Sequence, residues 1–312
     1  MNEVAYHHRC ERTLDAQTSK QTGSMTDISP RYELDLDTYF ARIGYDGPRA
    51  ATLAVLRELH RLHPLAIPFE NLDPLAGRRV SIKLPDIVEK IVTQRRGGYC
   101  FEHNTLLAHV LMQLGFTVTP LAARVLYGRE PDAHSPRTHM LLRVKAEGDT
   151  WLVDGGFGAA TLRAPLSFST DAEQPTPHEP ARLVTLSANE RKLQLHDGEK
   201  WIDLYRFELT PAEWVDYEVA NWYTSASPES FFTFSLMACI AREGGRAILF
   251  NERFTERDAQ GQVSEERTIA SGAELAQCLR ERFGIDLARG EAGQRIDADT
   301  LYARMMSHSA QQ

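Results

Sequence analysis

The hydrophobic period of this chain changes at Gly115, and no other feature constrains the fold as strongly. Before Gly115, apolar residues recur at every third or fourth position, which predicts four amphipathic helices. After Gly115, apolar and polar residues alternate, which predicts short antiparallel strands. We therefore expect a helical bundle over residues 30–115 and an antiparallel β-barrel over residues 116–210. The helices are predicted at 36–43, 48–63 (with Pro48 as first residue), 85–95 and 100–114, and the strands at 116–127, 138–145, 151–153, 182–188, 192–195 and 201–208.

The last third of the chain mixes both periods. Helical spacing over 211–223 places Trp214, Val215 and Trp222 in one stripe, which we expect to be buried. The remaining elements predict an α/β lid over residues 211–312, so the predicted fold class is α+β. They are three strands at 234–240, 246–254 and 262–269 and two helices at 271–283 and 297–305.

Composition is that of a soluble globular protein. Hydrophobic residues make up 42% of the 312 positions, and a net charge of −8 argues against nucleic-acid binding. No run of apolar residues is long enough to predict a membrane span. Four widely spaced cysteines favour free thiols and a cytoplasmic location over a disulfide scaffold. They are Cys10, Cys100, Cys239 and Cys278.

Residues 1–29 differ from the rest of the chain. They have no apolar period and no hydrophobic core of a signal peptide, so we predict a disordered extension. His7 and His8 lie close to Cys10, but no second group of ligands follows at a suitable spacing. We therefore predict no metal site.

Cys100 is the first candidate for chemistry. Gly97 and Gly98 interrupt the preceding helix, and the next helical pattern begins at Cys100. Backbone N–H groups at the start of a helix favour negative charge, so a reactive thiolate is well placed there. The alternative is that Cys100 is a small buried hydrophobic residue, as many cysteines are.

A histidine and an aspartate farther along the chain favour the catalytic interpretation. His139 lies in the strand RTHMLLRV, and Asp154 ends the next strand in WLVDGGFG. A turn around Gly148 joins the two strands, so both side chains are expected to meet across the hairpin. Asp154 would then hold the imidazole while its other nitrogen meets Cys100, as in thiolate–imidazolium nucleophiles.

Five segments together resemble one family, the arylamine N-acetyltransferases, and in particular its prokaryotic members. They are IPFENLDPLAGRRV at 67–80, RRGGYCFEHN at 95–104, THMLLRV at 138–144, LVDGGFG at 152–158 and NWYTSASPESFF at 221–232. The resemblance implies a catalytic core like that of cysteine proteases and transglutaminases. It also implies ping-pong transfer of an acetyl group from acetyl-CoA, through an acetyl-Cys100 thioester, to an arylamine, hydrazine or arylhydroxylamine. No metal is implied.

The resemblance also assigns roles to other residues. Phe69, Phe157 and Phe232 would line the acceptor pocket, while Gly156, Phe157, Gly158 and Tyr223 would contact coenzyme A. Glu70 and Arg96 would form a buried ion pair that supports the Cys100 loop, since an unpaired buried charge is costly.

Several alternatives stay open at this stage. The order Cys–His–Asp also occurs in hydrolases and transglutaminase-like enzymes, and related amide synthases take an acyl group from a carrier protein. A binding domain that has kept the fold is a further possibility. His103, three residues after Cys100, is the second choice for the base. The sequence does not determine the oligomeric state or the physiological acceptor.

Overall fold

The computed structural model describes residues 33–130, 134–290 and 294–309. The predicted extension at 1–29, with His7, His8 and Cys10, lies outside the described residues.

The first part of the chain is helical, as predicted, with one start misplaced. Helices α1 (Leu36–Ile43), α2 (Leu53–Ala66), α3 (Leu72–Leu75), α4 (Leu84–Ile87) and α5 (Cys100–Gln113) occur in order, and a π-helical turn, Val88–Thr93, continues α4. Pro48 does not open α2, because the Thr52 hydroxyl instead accepts the Val55 N–H at 3.4 Å and caps the helix. The strand β1 (Phe69–Glu70) lies between α2 and α3.

A seven-stranded antiparallel sheet follows and forms a nearly closed barrel. Its strands are β2 (Thr117–Val125), β3 (Arg137–Ala146), β4 (Asp149–Val153), β5 (Leu166–Ser167), β6 (Ala181–Thr185), β7 (Glu190–His196) and β8 (Trp201–Glu208), in the order β5-β4-β3-β2-β8-β7-β6. Gln174 connects the two ends, because its side chain bonds Ser167 and its backbone pairs with Ala181. The predicted antiparallel barrel is confirmed.

The C-terminal part contains a second sheet with the order β1-β9-β10-β11-β12. The strands after β1 are β9 (Met237–Arg242), β10 (Gly245–Phe250), β11 (Arg253–Asp258) and β12 (Val263–Thr268), and helices α7 (Gly272–Phe283) and α8 (Ala298–Ser309) follow. The single strand predicted at 246–254 is wrong. Asn251 has a φ of 49° and makes a turn between two strands, a conformation that asparagine tolerates well.

Helix α6 (Trp214–Ala226) precedes this sheet, and its buried face differs from the predicted one. Val215 and Trp222 are 57% and 59% exposed, so their predicted burial is wrong, whereas Trp214 is half-buried and packs against the core. The helix instead turns Tyr217 and Asn221 towards the core. The prediction followed the large aromatic and β-branched residues of the helix, whereas the buried face contains the polar residue Asn221.

The three parts of the chain meet around the start of α5. Strand β1 comes from the helical part but pairs with β9, so the two parts share one sheet. Helix α5 packs against β2 and β3 of the barrel. The fold is thus α+β, and the domain boundaries drawn from the sequence stay predictions. Within the described ranges, no helix has the length and apolar character needed to cross a membrane.

Candidate active site

Cys100 is the first residue of α5 and is nearly buried, with 5% of its surface exposed. The preceding residue, Tyr99, is extended, and its N–H donates to the Glu102 carboxylate at 2.9 Å. This contact caps the helix from within its first turn. The Cys100 Sγ lies 3.6 Å from the carbonyl oxygen of Thr138 in β3. The thiol therefore lies where the helix start meets the barrel.

His139 and Asp154 are in contact, as the hairpin predicts. The His139 Nε2 lies 2.7 Å from the Asp154 Oδ2, and both side chains are buried. A β-bulge follows Ala123, the residue opposite His139, and such bulges often reorient side chains near active sites. Nε2 is engaged by Asp154, so Nδ1 is the nitrogen left for Cys100.

The charges of this pair support each other. Burial lowers the pKa of His139, but the Asp154 charge and hydrogen bonds with Asp154 and Cys100 outweigh burial and raise it to about 10. For Asp154 the directions are reversed. Burial raises its pKa, but His139 and other donors outweigh burial and lower the pKa to about 2. The imidazolium and the carboxylate are therefore both charged at neutral pH.

Two residues that the sequence did not identify hold Asp154 in place. Asn104 Nδ2 donates to Oδ1 at 3.0 Å, and the Tyr205 hydroxyl donates to Oδ2 at 2.9 Å. The Gly156 N–H also donates to Oδ1, at 3.0 Å. Asn104 lies one helical turn after Cys100, a spacing that could have identified it. Tyr205 lies on β8, whose place beside β2 the sequence does not specify.

The predicted ion pair between Glu70 and Arg96 is present within a larger buried network. Arg96 donates to the Glu70 Oε1 through Nε at 3.0 Å and through Nη2 at 2.8 Å. The network adds Lys90, whose Nζ lies 2.7 Å from the Asp73 Oδ2 and 2.8 Å from the Glu102 Oε1. No sequence pattern pointed to Lys90 or Asp73, since both lie on short helical segments that only tertiary packing brings together. Burial raises the pKa of Glu102, and this effect is larger than the lowering by the positive charge of Lys90. The pKa of Glu102 is therefore about 7.

His103 is buried in a separate chain of hydrogen bonds. Its Nε2 lies 3.1 Å from the Pro68 carbonyl oxygen, so Nε2–H donates there. Its Nδ1 then accepts from the Nε2 of His63, at 2.9 Å, and the His63 Nδ1 accepts from the Tyr39 hydroxyl at 2.8 Å. Burial lowers the pKa of His103 to about 4. Both ring nitrogens are engaged, so His103 is not available as the base for Cys100.

Cys100 and His139 line one cavity of about 490 Å³. The three predicted pocket residues, Phe69, Phe157 and Phe232, line the same cavity. The Phe69 and Phe232 ring centroids are 6.0 Å apart, and the Phe157 ring meets the His139 ring edge to face at 5.0 Å. The result is an aromatic slot with Cys100 and His139 in its wall.

The glycine loop after Asp154 packs directly on the start of α5. A Cβ at Gly156 would lie 2.8 Å from the His103 Cβ and 3.0 Å from the Cys100 Cα, so only glycine fits there. Gly156 also lines the cavity. Gly158 lies beside the aromatic slot, since a Cβ there would lie 3.6 Å from the Phe69 ring and 3.7 Å from the Met237 sulfur.

Tyr223 is not close to the other predicted coenzyme A contacts. It lines a second cavity, of about 510 Å³, between α6 and the barrel. Thr138, on the strand that carries His139, lines both cavities.

Comparisons with known proteins relate this chain to N-acetyltransferases. Residues 52–292 match the sequence model of an N-acetyltransferase family. An arylamine N-acetyltransferase of Mycobacterium tuberculosis is 42% identical over 272 residues, covering 85% of this chain and 95% of the relative. The Escherichia coli K12 enzyme of that name is 38% identical over 263 residues, covering 84% and 92%.

Solved structures of arylamine N-acetyltransferases also superpose on this chain. A structure of the M. tuberculosis arylamine N-acetyltransferase superposes with a TM-score of 0.80 at 41% identity, covering 86% of this chain and 100% of that one. A Mycobacterium marinum arylamine N-acetyltransferase in complex with CoA superposes with a TM-score of 0.79 at 38% identity, covering 87% and 98%.

Proposed function

The chain belongs to the arylamine N-acetyltransferase family, and on that premise we propose that it acetylates arylamines by a ping-pong route through Cys100. The family membership predicted from the five sequence motifs is confirmed. The protein is thus an acetyltransferase that uses acetyl-CoA, and the intermediate, the acceptor and the residue roles are the proposal.

The first half-reaction begins from an ion pair. His139 is an imidazolium at neutral pH, and Cys100 beside it serves as the thiolate. The sulfur attacks the carbonyl carbon of acetyl-CoA, and N–H groups of the first turn of α5 stabilise the oxyanion. The carbon–sulfur bond to coenzyme A breaks, its thiolate takes the proton of His139, and an acetyl-thioester remains on Cys100.

The second half-reaction regenerates the enzyme. The nitrogen of an arylamine, hydrazine or arylhydroxylamine attacks the thioester carbon, and His139, now neutral, takes the proton that the nitrogen loses. The Cys100 thiolate leaves, which restores the starting ion pair. Phe69, Phe157 and Phe232 hold the flat ring of the acceptor, and their apolar surfaces keep water from the thioester.

Two sets of residues receive the coenzyme in this proposal. Gly156, Phe157 and Gly158 let the thioester arm approach the backbone beside Cys100, and Tyr223 contacts a more distant part of it. The common wall at Thr138 supports this assignment, because one extended molecule can reach both cavities around it. Glu70 and Arg96 take no part in the chemistry and keep the segment before Cys100 in place.

A single observation carries the proposal: His139, which lies 2.7 Å from the buried Asp154 carboxylate, lines the same aromatic cavity as Cys100. A cysteine hydrolase needs access for water, whereas this slot is lined by rings. The cytoplasmic location stays a prediction.

Steady-state kinetics test the proposal. Acetyl-CoA is varied at several fixed concentrations of each member of a panel of anilines and hydrazides, and N-acetyl product and free CoA are both measured. We expect parallel double-reciprocal lines and one CoA released per acetylated amine. CoA release without amine acetylation would indicate a hydrolase, and lines that intersect would contradict the ping-pong order. An amide synthase that requires a carrier protein would give no turnover with acetyl-CoA.

A further inference from the structure

Besides His139, one charged side chain, that of Arg129, lines the active-site cavity. Among the described residues that form this cavity there is no aspartate or glutamate, and apart from His139 the only group that carries positive charge is Arg129. The chain as a whole has a net charge of −8, so this cavity differs in charge from the protein around it. A cavity lined by positive charge favours an anionic ligand.

The guanidinium of Arg129 has no partner within the part of the chain that the structure describes. Two arginines elsewhere, by contrast, are paired: Arg163 contacts Glu243 at 2.7 Å, and Arg246 contacts Glu179. The hydrogen bond of Arg129 is made by its backbone N–H, which donates to the Leu126 carbonyl at 3.0 Å. The side chain is exposed at the cavity, and none of its five donors is engaged by a described residue.

The turn that carries Arg129 is attached to the barrel. The N–H groups of Leu126 and Tyr127 both donate to the Leu204 carbonyl, at 2.9 and 3.1 Å. The Tyr127 ring meets the Phe157 ring edge to face at 6.3 Å, which joins the turn to the pocket wall. Gly128 has a φ of 71°, a conformation that lets the chain turn before Arg129. These contacts hold the turn that carries Arg129 at the edge of the aromatic slot.

We propose that Arg129 binds an anionic group of the substrate that occupies this cavity, and that the enzyme therefore favours arylamines with a carboxylate on the ring. The inference rests on the proposed function. With the amine at Cys100 and His139 and the ring in the aromatic slot, a carboxylate one ring away lies towards the rim. A guanidinium fork matches the two oxygens of a carboxylate.

The phosphates of coenzyme A offer the same anionic chemistry. They lie at the far end of the pantetheine arm from the thioester, whereas a ring carboxylate lies one ring from the amine. Matched ligands therefore distinguish the two sources: 4-aminobenzoate against 4-aminobenzamide, and S-methyl coenzyme A against S-methyl pantetheine.

The test is protection of Cys100 from alkylation by iodoacetamide, measured for wild type and Arg129→Gln. We expect the half-protecting concentration of 4-aminobenzoate to rise about tenfold in Arg129→Gln, because a charge-assisted contact is lost, while that of 4-aminobenzamide changes less than twofold. Arg129→Lys should keep most of the affinity for the carboxylate. The neighbouring Glu130→Gln is the control and should not weaken it, since it removes a negative charge.

Each outcome of this experiment leads to a different conclusion about Arg129. A change confined to S-methyl coenzyme A would assign Arg129 to the phosphates and overturn the acceptor preference. Equal protection of wild type and Arg129→Gln by every ligand, or no protection of wild type by 4-aminobenzoate, would overturn the proposal. Protection needs no acetyl transfer, so a failure of the proposed function would appear separately, as absence of N-acetyl product with any amine.

Discussion

Asp154 is the residue that determines the charge of the active site. It is completely buried, yet it accepts hydrogen bonds from His139, Asn104 and Tyr205. These donors replace the water that a buried carboxylate loses, and so keep it ionised. The carboxylate in turn keeps His139 protonated at neutral pH, and in the proposed mechanism this imidazolium is the partner of Cys100. In the proposed mechanism, the reactivity of Cys100 thus depends on Asp154 through His139.

We predict that Asp154→Asn removes the reactivity of Cys100 at neutral pH. Without the carboxylate, burial is opposed only by Cys100, and the pKa of His139 falls well below about 10. The imidazolium, present in wild type at every pH below about 10, would then be lost near neutrality. The rate of alkylation by iodoacetamide at pH 7 should fall by at least about tenfold, towards that of free cysteine, and kcat/KM by about a hundredfold or more.

Asp149→Asn is the matched control for this experiment. Asp149 begins the same strand, β4, but is exposed and distant from the ring of His139. This variant should react as wild type does at each pH from 6 to about 10. Equal alkylation rates for Asp154→Asn and Asp149→Asn, with both proteins folded by circular dichroism, would refute the role given to Asp154.

At the scale of elements, the site depends on how closely the glycine loop approaches α5. Cys100 comes from the helix, His139 from β3 and Asp154 from the end of β4, so three elements must keep their spacing. Gly156 lies between the loop and the helix with no room for a Cβ. The neighbours that it would meet are a Cβ and a Cα, which cannot move without moving the helix.

We predict that Gly156→Ala lowers kcat/KM by about a hundredfold, because displacement of reacting groups by about 1 Å has effects of that size. Gly244→Ala is the control, since Gly244 has no positive φ and its added Cβ would meet no atom within 4 Å. It should retain wild-type kcat/KM and thermal midpoint. Wild-type kcat/KM in a folded Gly156→Ala protein would show that the close approach is not needed for catalysis.

Elements were predictable from sequence where local chemistry specifies them. The start of α5 at Cys100 and the hairpin from His139 to Asp154 follow from glycines and hydrophobic period, and both are present. Errors arose where two local signals competed. Pro48 and Thr52 are both residues that often precede or begin a helix. The helix begins after Thr52, whose side chain caps it. On α6, Val215 and Trp222 have the composition of a core stripe, yet Asn221 is buried because it bonds Tyr99 and Val80.

At the scale of the whole molecule, the features that complete the site come from residues far apart in sequence. Phe69 pairs with Cys239 through a two-residue strand that has no periodic pattern to recognise. Tyr205 reaches Asp154 only because β8 lies beside β2. The cavity that contains Arg129 likewise exists only after the turn at Gly128 packs on Phe157. The contact between His139 and Asp154 could therefore be predicted from motifs, whereas its supporting contacts and the shape of the pocket could not.

The central claim is that Cys100 carries the acetyl group between the two substrates, and the mass of the intact protein tests it most directly. Burial raises the pKa of Cys239 to about 12 and that of Cys278 to about 11, so neither is a competing nucleophile at neutral pH. After brief incubation with acetyl-CoA and no amine, we expect wild type to gain about 42 Da, one acetyl group, and to lose it when an arylamine is added. Cys100→Ala should gain nothing. An unchanged wild-type mass during measurable amine acetylation, or the same gain in Cys100→Ala, would contradict the account.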